Sequence, residues 1–201
     1  MLVIGLCGGS GSGKGAVSSI LSEYGILPID TDKVYHELTS AKSDCLDALT
    51  DEFGAEILDG QGRLDRRKLA AIVFSDTTRL QVLNSIAHFY VLREVRRMIT
   101  EAQGKYFAVL VDAPLLFESG FHKECDIIVA VSADISVRID RIMQRDGIDE
   151  EAAEKRLSNQ ISDAELRERS NYIIENNGSL SELRANVESM IKKIKIKFDK
   201  F

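Results

Sequence analysis

The sequence predicts an α/β fold built on a parallel sheet, and three observations carry that reading. Short, almost wholly apolar runs recur along the chain: Leu2–Cys7, Ile26–Ile29, Phe107–Val111, Ile127–Val131 and Tyr172–Ile174. Runs this apolar suit strands buried on both faces. Longer stretches of helical character separate them, as in a chain of right-handed β-α-β units. A glycine-rich loop follows the first run, where such folds place an anion at a helix N-terminus.

The bulk numbers set limits on function. With 201 residues, 44% of them hydrophobic and 29% charged, the chain is long enough for one domain with a real core. A net charge of −6 gives no electrostatic support for a nucleic-acid partner. Tyr24, Tyr35 and Phe53 form no stacking pattern of the kind that binds bases. The basic run Lys192-Lys193-Ile194-Lys195-Ile196-Lys197 reads as the solvated face of a last helix. Cys7, Cys45 and Cys125 are far apart and make no C-x-x-C, so reduced thiols in a cytoplasmic protein are expected, with no zinc site. The first apolar run is too short to span a membrane and has no basic region before it, so neither a membrane partner nor a signal peptide is expected.

The elements follow in order. Strand one ends in Gly8-Gly9-Ser10-Gly11-Ser12-Gly13-Lys14-Gly15-Ala16, and a helix is predicted over Ala16–Tyr24. Strand two ends in Ile29-Asp30-Thr31-Asp32. Residues 33–103 form a long, mostly helical insertion with a turn signal at Asp59-Gly60-Gln61-Gly62. Residues 134–169 are helical and rich in arginine and acids, which suggests a lid on a nucleotide-binding core.

The glycine loop admits two readings. Gly8 to Lys14 fits G-x-x-x-x-G-K, in which glycines let backbone N–H groups face phosphate oxygens and a lysine reaches the β- and γ-phosphates. Gly11 to Ala16 also fits G-x-G-x-x-A, and Asp30, about 20 residues on, stands where a dinucleotide fold holds a ribose. The second reading leaves Lys14, Gly8 and Gly9 without a role, so the phosphate loop is favoured. Gly15 stands where a Ser or Thr hydroxyl usually helps hold Mg²⁺. An impaired or purely binding protein is therefore a competing reading.

Asp32 follows the second strand and is a candidate for accepting an acceptor hydroxyl's proton. The alternative is an N-cap for a helix over Lys33–Thr39. Asp112 ends the third strand, where a carboxylate often orients Mg²⁺ through water. Pro114, Leu115 and Phe117 form an apolar rim suited to an acceptor pocket, with core packing as the alternative for Leu115 and Leu116. His36 lies one turn after Asp32 on the same helix face. His88 lies on an apolar helical stretch, in a core or a groove.

Taken in order, the loop, Ile29–Asp32, Gly62-Arg63-Leu64-Asp65-Arg66-Arg67-Lys68-Leu69, Val73-Phe74-Ser75-Asp76, Leu83–His88, Val111-Asp112-Ala113-Pro114-Leu115-Leu116-Phe117-Glu118 and Asn176-Asn177-Gly178 resemble the dephospho-CoA kinase family over roughly residues 2–190. The resemblance implies transfer of the γ-phosphoryl group of ATP, with Mg²⁺, to the 3′-hydroxyl of dephospho-CoA, the last step of coenzyme A synthesis. It implies a P-loop fold like that of nucleoside monophosphate kinases, with a five-stranded parallel sheet in a single kinase domain. The core would be 1–32, 104–133 and 170–201, with a CoA-side insertion at 33–103 and a lid at 134–169. By the same resemblance Asp32 is the catalytic acid-base residue, Lys14 the loop lysine, Arg141 the lid arginine, and Asn176–Gly178 the segment near the adenine. ATP would contact Gly9, Gly11, Ser12, Gly13, Lys14, Gly15 and Ala16; dephospho-CoA would contact Asp32, His36, Arg66, His88, Asp112, Pro114, Leu115 and Phe117. Arg66 and Arg67 would meet its phosphates unless they pair with Asp65 or Glu52; Arg138, Arg145 and Arg156 would reach phosphate unless they pair with Glu151 or Glu154. The chain departs from the family's G-K-S/T-T at Gly15-Ala16, and Phe89 stands where proline usually follows the histidine. A kinase of another small-molecule acceptor and a nicotinamide-dependent oxidoreductase are the remaining alternatives.

Overall fold

The computed structural model describes residues 1–74, 76–158 and 160–198. Ser75 of the Val73–Asp76 motif, Asn159 of the expected lid, and residues 199–201 lie outside the described residues.

The five apolar runs are five strands: β1 (Leu2–Cys7), β2 (Ile26–Asp30), β3 (Ala108–Asp112), β4 (Ile127–Ser132) and β5 (Tyr172–Glu175). Their order is β2-β3-β1-β4-β5, and β1 pairs parallel with both β3 and β4. A central strand of a parallel sheet is covered on both faces, which is why β1 carries no alternation of polar and apolar residues. The helices α1 (Lys14–Glu23) and α9 (Leu180–Lys197) enclose the sheet through Val17, Leu21, Leu183 and Val187, packed with Ile4 and Val129. Each such fully buried aliphatic side chain contributes about 1.5–3 kcal/mol relative to exposure. Ser179 and Glu182 close a capping box at the start of α9. Along that helix Ile191 and Ile194 turn inward while Lys192, Lys193, Lys195 and Lys197 are exposed, the solvated face expected of the basic run.

Two compact units make up the chain: residues 1–29 with 102–201, and residues 30–101. The second contains α2 (Thr31–Ser40), α3 (Asp44–Phe53), α4 (Arg66–Val73) and most of α5 (Thr77–Ala102). Its core gathers Cys45, Leu49, Phe53, Ile57, Leu69 and Val73. The turn at Asp59 is built by its carboxylate, which accepts from the N–H groups of Gln61 and Arg63 at 2.8 and 2.9 Å. The first unit also carries α6 (Ile135–Asp146), α7 (Glu150–Ser158) and α8 (Asp163–Glu168).

Two helix starts differ from expectation. Helix α1 begins at Lys14, not Ala16, because Gly13 absorbs the turn at φ 96° and leaves Lys14 already helical. Helix α2 begins at Thr31, and its cap is Asp30: one carboxylate oxygen accepts from the N–H groups of Asp32 and Lys33 at 3.0 and 3.1 Å. Asp32 is therefore not the cap.

Candidate active site

The loop between β1 and α1 is held by its carbonyls. Lys14 Nζ donates to Gly8 O at 2.9 Å, and the Ser12 N–H to Gly9 O at 3.2 Å. Arg138 Nε donates to Ser10 O at 2.9 Å, Arg141 Nη1 to Gly11 O at 3.2 Å, and Asn176 Nδ2 to Ser12 O at 2.7 Å. Gly13 O accepts from Ala16 and Val17, opening α1. Every carbonyl from Gly8 to Gly13 thus has a named donor. In a planar trans peptide the next residue's N–H points opposite to the carbonyl. With the carbonyls of Ser10, Ser12 and Gly13 turned toward Arg138, Asn176 and α1, the N–H groups of Gly11, Gly13 and Lys14 point the other way.

Glycine is required at several points of this wall, Gly13 and Gly11 among them. A Cβ on Gly13 would stand 2.1 Å from Asn176 Nδ2, and Gly13 has positive φ as well. A Cβ on Gly11, also at positive φ (76°), would meet the Arg138 backbone at 2.6 Å. Gly15 is different: a Cβ there meets nothing within 4 Å, and the residue is exposed in the first turn of α1. Ala16 follows in the same turn, half-buried. The Ser12 hydroxyl is buried with no hydrogen-bond partner among the described residues, and Ser12 is only 1% exposed.

The other predicted residues of this unit fall around the loop in different ways. Asn177 and Asp134 clamp each other: Asn177 Oδ1 accepts from the Asp134 N–H at 2.7 Å while its Nδ2 donates to Asp134 Oδ1 at 3.0 Å. This ties the segment after β5, with exposed Gly178, to the start of α6. Asp112 ends β3 in register with Leu6, close to where β1 enters the loop. Pro114 and Leu115 are exposed, whereas Leu116 and Phe117 turn inward. Phe117, expected beside them on the rim, is buried with the Arg169 guanidinium 3.9 Å over its ring.

Of the arginines in the expected lid, Arg145 and Arg156 both bind Asp146, the acid that takes the place expected of Glu151 or Glu154. The hydrogen bonds from Arg145 are the main reason the Asp146 carboxyl is pulled down to about 2. Arg138 instead enters the loop site, where Asp163 and Gln160 hold it. Neither partner was visible in the sequence, because nothing in the spacing links residues 138, 160 and 163 to residue 10.

In the second unit Asp32 is exposed in the first turn of α2. His36 and Arg66 come together, with Arg66 Nη2 3.0 Å from His36 Nδ1. Asp65 is occupied as the N-cap of α4. His88 is half-buried on α5.

Comparison with known proteins follows this geometry. A family model described as dephospho-CoA kinase matches residues 2–182. The chain is 38% identical over 194 residues to a dephospho-CoA kinase of Fusobacterium nucleatum, spanning 96% of this chain and 99% of that one. It is 36% identical over 195 residues to one from Corynebacterium glutamicum, spanning 96% and 100%. Among solved structures, dephospho-CoA kinase from Campylobacter jejuni aligns with a TM-score of 0.69 and 26% identity over 96% of both chains. A Thermus thermophilus protein aligns with a TM-score of 0.80 and 32% identity over 96% and 97%. A shikimate kinase from Acinetobacter baumannii, at TM-score 0.59 and 18% identity over 98% and 94%, shares the P-loop kinase fold.

Proposed function

The chain belongs to the dephospho-CoA kinase family, and we propose that it transfers the γ-phosphoryl group of ATP to the 3′-hydroxyl of dephospho-CoA, giving coenzyme A and ADP. The observation that carries this reading is the carbonyl-held loop, whose glycine N–H groups and Lys14 offer a fixed set of donors to a polyphosphate. Catalysis of this kind is mostly positioning and charge neutralisation. Lys14, half-buried, would exchange its contact with Gly8 O for phosphate oxygens. Arg141, one helical turn after Arg138, would meet the transferring group. Gly9, Gly11, Ser12, Gly13, Gly15 and Ala16 would line the triphosphate, and Asn176 and Gly178 the adenine side.

Asp32 is assigned the acceptor side. The N-cap of α2 is Asp30, and Asp32 stands exposed in the first turn that follows. As the 3′-oxygen attacks phosphorus and the bond to ADP breaks, the hydroxyl proton passes to Asp32. Residues 33–103 would hold dephospho-CoA, with Arg66 and His36 on phosphate and His88, Asp112, Pro114, Leu115 and Phe117 as further contacts. Residues 134–169 would close as the lid and exclude water.

Magnesium is implied by this chemistry. Among the described residues no group of three His, Cys, Asp or Glu side chains could hold a metal. Asp112, at the end of β3 beside the strand that enters the loop, would hold Mg²⁺ through water, with phosphate oxygens and further waters as the other ligands. When bound, the ion neutralises charge on the β- and γ-phosphates. A cytoplasmic setting is supported by three free cysteines. Among the described residues no helix is long and apolar enough to cross a membrane. The net charge of −6 gives nucleic acid no favoured surface.

The test is an ATP/Mg²⁺ assay with dephospho-CoA, the product identified by mass. Formation of coenzyme A supports the assignment. ATP binding without any coenzyme A, while a relative run in parallel is active, would reduce the chain to a nucleotide-binding protein or a kinase of another acceptor.

A further inference from the structure

Ser10 has three polar atoms, and each is bonded to a side chain from the far end of the same unit. Its carbonyl accepts from Arg138 Nε at 2.9 Å, its N–H donates to Gln160 Oε1 at 2.9 Å, and its hydroxyl accepts from Gln160 Nε2 at 3.0 Å. Arg138 and Gln160 also bond to each other, Nη2 to Oε1, at 3.1 Å. The guanidinium lies so close to the loop that a Cβ on Gly9 would stand 2.0 Å from its Nη2.

Arg138 is itself held. It is 6% exposed, and its Nη1 meets Asp163 Oδ1 at 3.1 Å. The other oxygen of Asp163 accepts from the Ser132 hydroxyl at 2.7 Å. Ser132 Oγ in turn lies 3.3 Å from Arg167 Nη2, which binds Glu175 at 2.5 Å. A continuous polar path therefore runs from the end of β5, through the start of α8, to one peptide of the phosphate loop.

We propose that Arg138 is a positioning residue for nucleotide binding: backed by Asp163, it fixes the peptide between Ser10 and Gly11 so that the Gly11 N–H stays aimed at phosphate. A guanidinium suits this task because one rigid fork serves three acceptors at once. A lysine brings a single ammonium point and cannot hold Ser10 O, Gln160 and Asp163 together. The charge of Arg138 is spent on the protein, so its effect on ATP runs through the loop backbone.

The proposal rests on the nucleotide reading of the loop, and the experiment keeps the two apart by measuring ATP affinity without any acceptor. Four proteins are compared: wild type, Arg138→Lys, Arg138→Met and the double variant Arg138→Met/Asp163→Leu. Affinity is read by competition with a fluorescent ADP analogue and folding by thermal unfolding. Arg138 is buried while the Asp163 side chain is 36% exposed, so water can take over the aspartate in Arg138→Met, and replacing both partners with apolar groups is often neutral. The double variant should therefore unfold near the wild-type temperature yet bind ATP about tenfold more weakly, as Arg138→Met does. Arg138→Lys should not restore affinity. If the double variant regains both stability and wild-type affinity, or if the lysine rescues binding, the positioning role is overturned. A wild-type protein that binds no ATP would overturn the nucleotide reading and this role together. A wild type that binds ATP but leaves dephospho-CoA untouched would overturn only the acceptor.

Discussion

Arg66 Nη2 lies 3.0 Å from His36 Nδ1, across 30 residues of sequence. Arginine only donates, so the imidazole must accept at Nδ1 and carry its proton on Nε2. The Ser40 hydroxyl lies 3.2 Å from the same Nδ1 and donates to the His36 carbonyl at 2.6 Å. An exposed arginine whose fork is oriented by a neutral ring keeps its charge available to an anion.

Arg66→Ala is expected to raise the KM for dephospho-CoA. The loss of a charge-assisted hydrogen bond costs about 1.5–3 kcal/mol, or roughly 10- to 100-fold. The value of kcat and the KM for ATP should change little. Steady-state kinetics with each substrate varied in turn decides it: an unchanged KM for dephospho-CoA removes Arg66 from the acceptor site.

The two aspartates after β2 should separate cleanly. Asp32→Asn is expected to lower kcat by roughly 100-fold or more, the usual scale of general acid-base catalysis, with ATP affinity near wild type. Asp30→Ala should cost about 1 kcal/mol of stability through the lost cap. Stopped-time assays paired with denaturant titrations distinguish them. If Asp32→Asn keeps its kcat, the base lies elsewhere.

Gly15→Ser should fold normally, since the added atoms enter open space and serine is a better helix residue than glycine by a few tenths of a kcal/mol. Its hydroxyl would stand at the loop position where a Ser or Thr usually helps hold Mg²⁺, so half-saturation with Mg²⁺ at fixed ATP should move to lower concentration. Gly13→Ala is the counterpart. Its Cβ would collide with Asn176 Nδ2 at 2.1 Å, and nucleotide binding should be lost. A magnesium titration unmoved by the serine would mean that the hydroxyl position is not a ligand site in this chain.

The thiols are predicted to be sluggish. Burial pushes Cys7 and Cys45 up to about 11 and Cys125 up to about 12. An acid whose folded value is raised stabilises the fold fully below its unfolded value near 9 and loses that contribution as pH climbs toward 11 or 12. At pH 8 all three should alkylate slowly in the native protein and quickly in denaturant. Mass spectrometry after a timed iodoacetamide pulse measures this, and rapid native labelling of Cys7 would contradict its burial.

The strands were legible because a buried parallel strand is written as an uninterrupted apolar run, and all five runs became strands. The glycine loop was legible because its backbone conformations need glycine at Gly11 and Gly13. Helix starts were less so. Asp30 and Asp32 are both good caps by type, and the choice fell to Asp30 because the strand ends there with extended backbone at φ −93° and ψ 111°. The partners of Arg138 were illegible for another reason. Gln160 and Asp163 carry no periodic signal; Gln160 touches Ser10 directly and Asp163 acts only through Arg138, on the helix that follows β4, the neighbour of β1 in the sheet.

The loop's carbonyls are anchored from three separate places: Lys14 in α1, the arginines of α6, and Asn176 after β5. Lys14 and Arg141 are the anchors that turn to phosphate in the proposed complex; Arg138 and Asn176 stay, so the peptides at Ser10 and Ser12 are set when the unit folds, before any nucleotide arrives. Capture of ATP then carries little ordering entropy for the backbone. Association should run close to the rate of diffusional encounter, and differences in affinity among loop variants should appear mainly as changes in residence time.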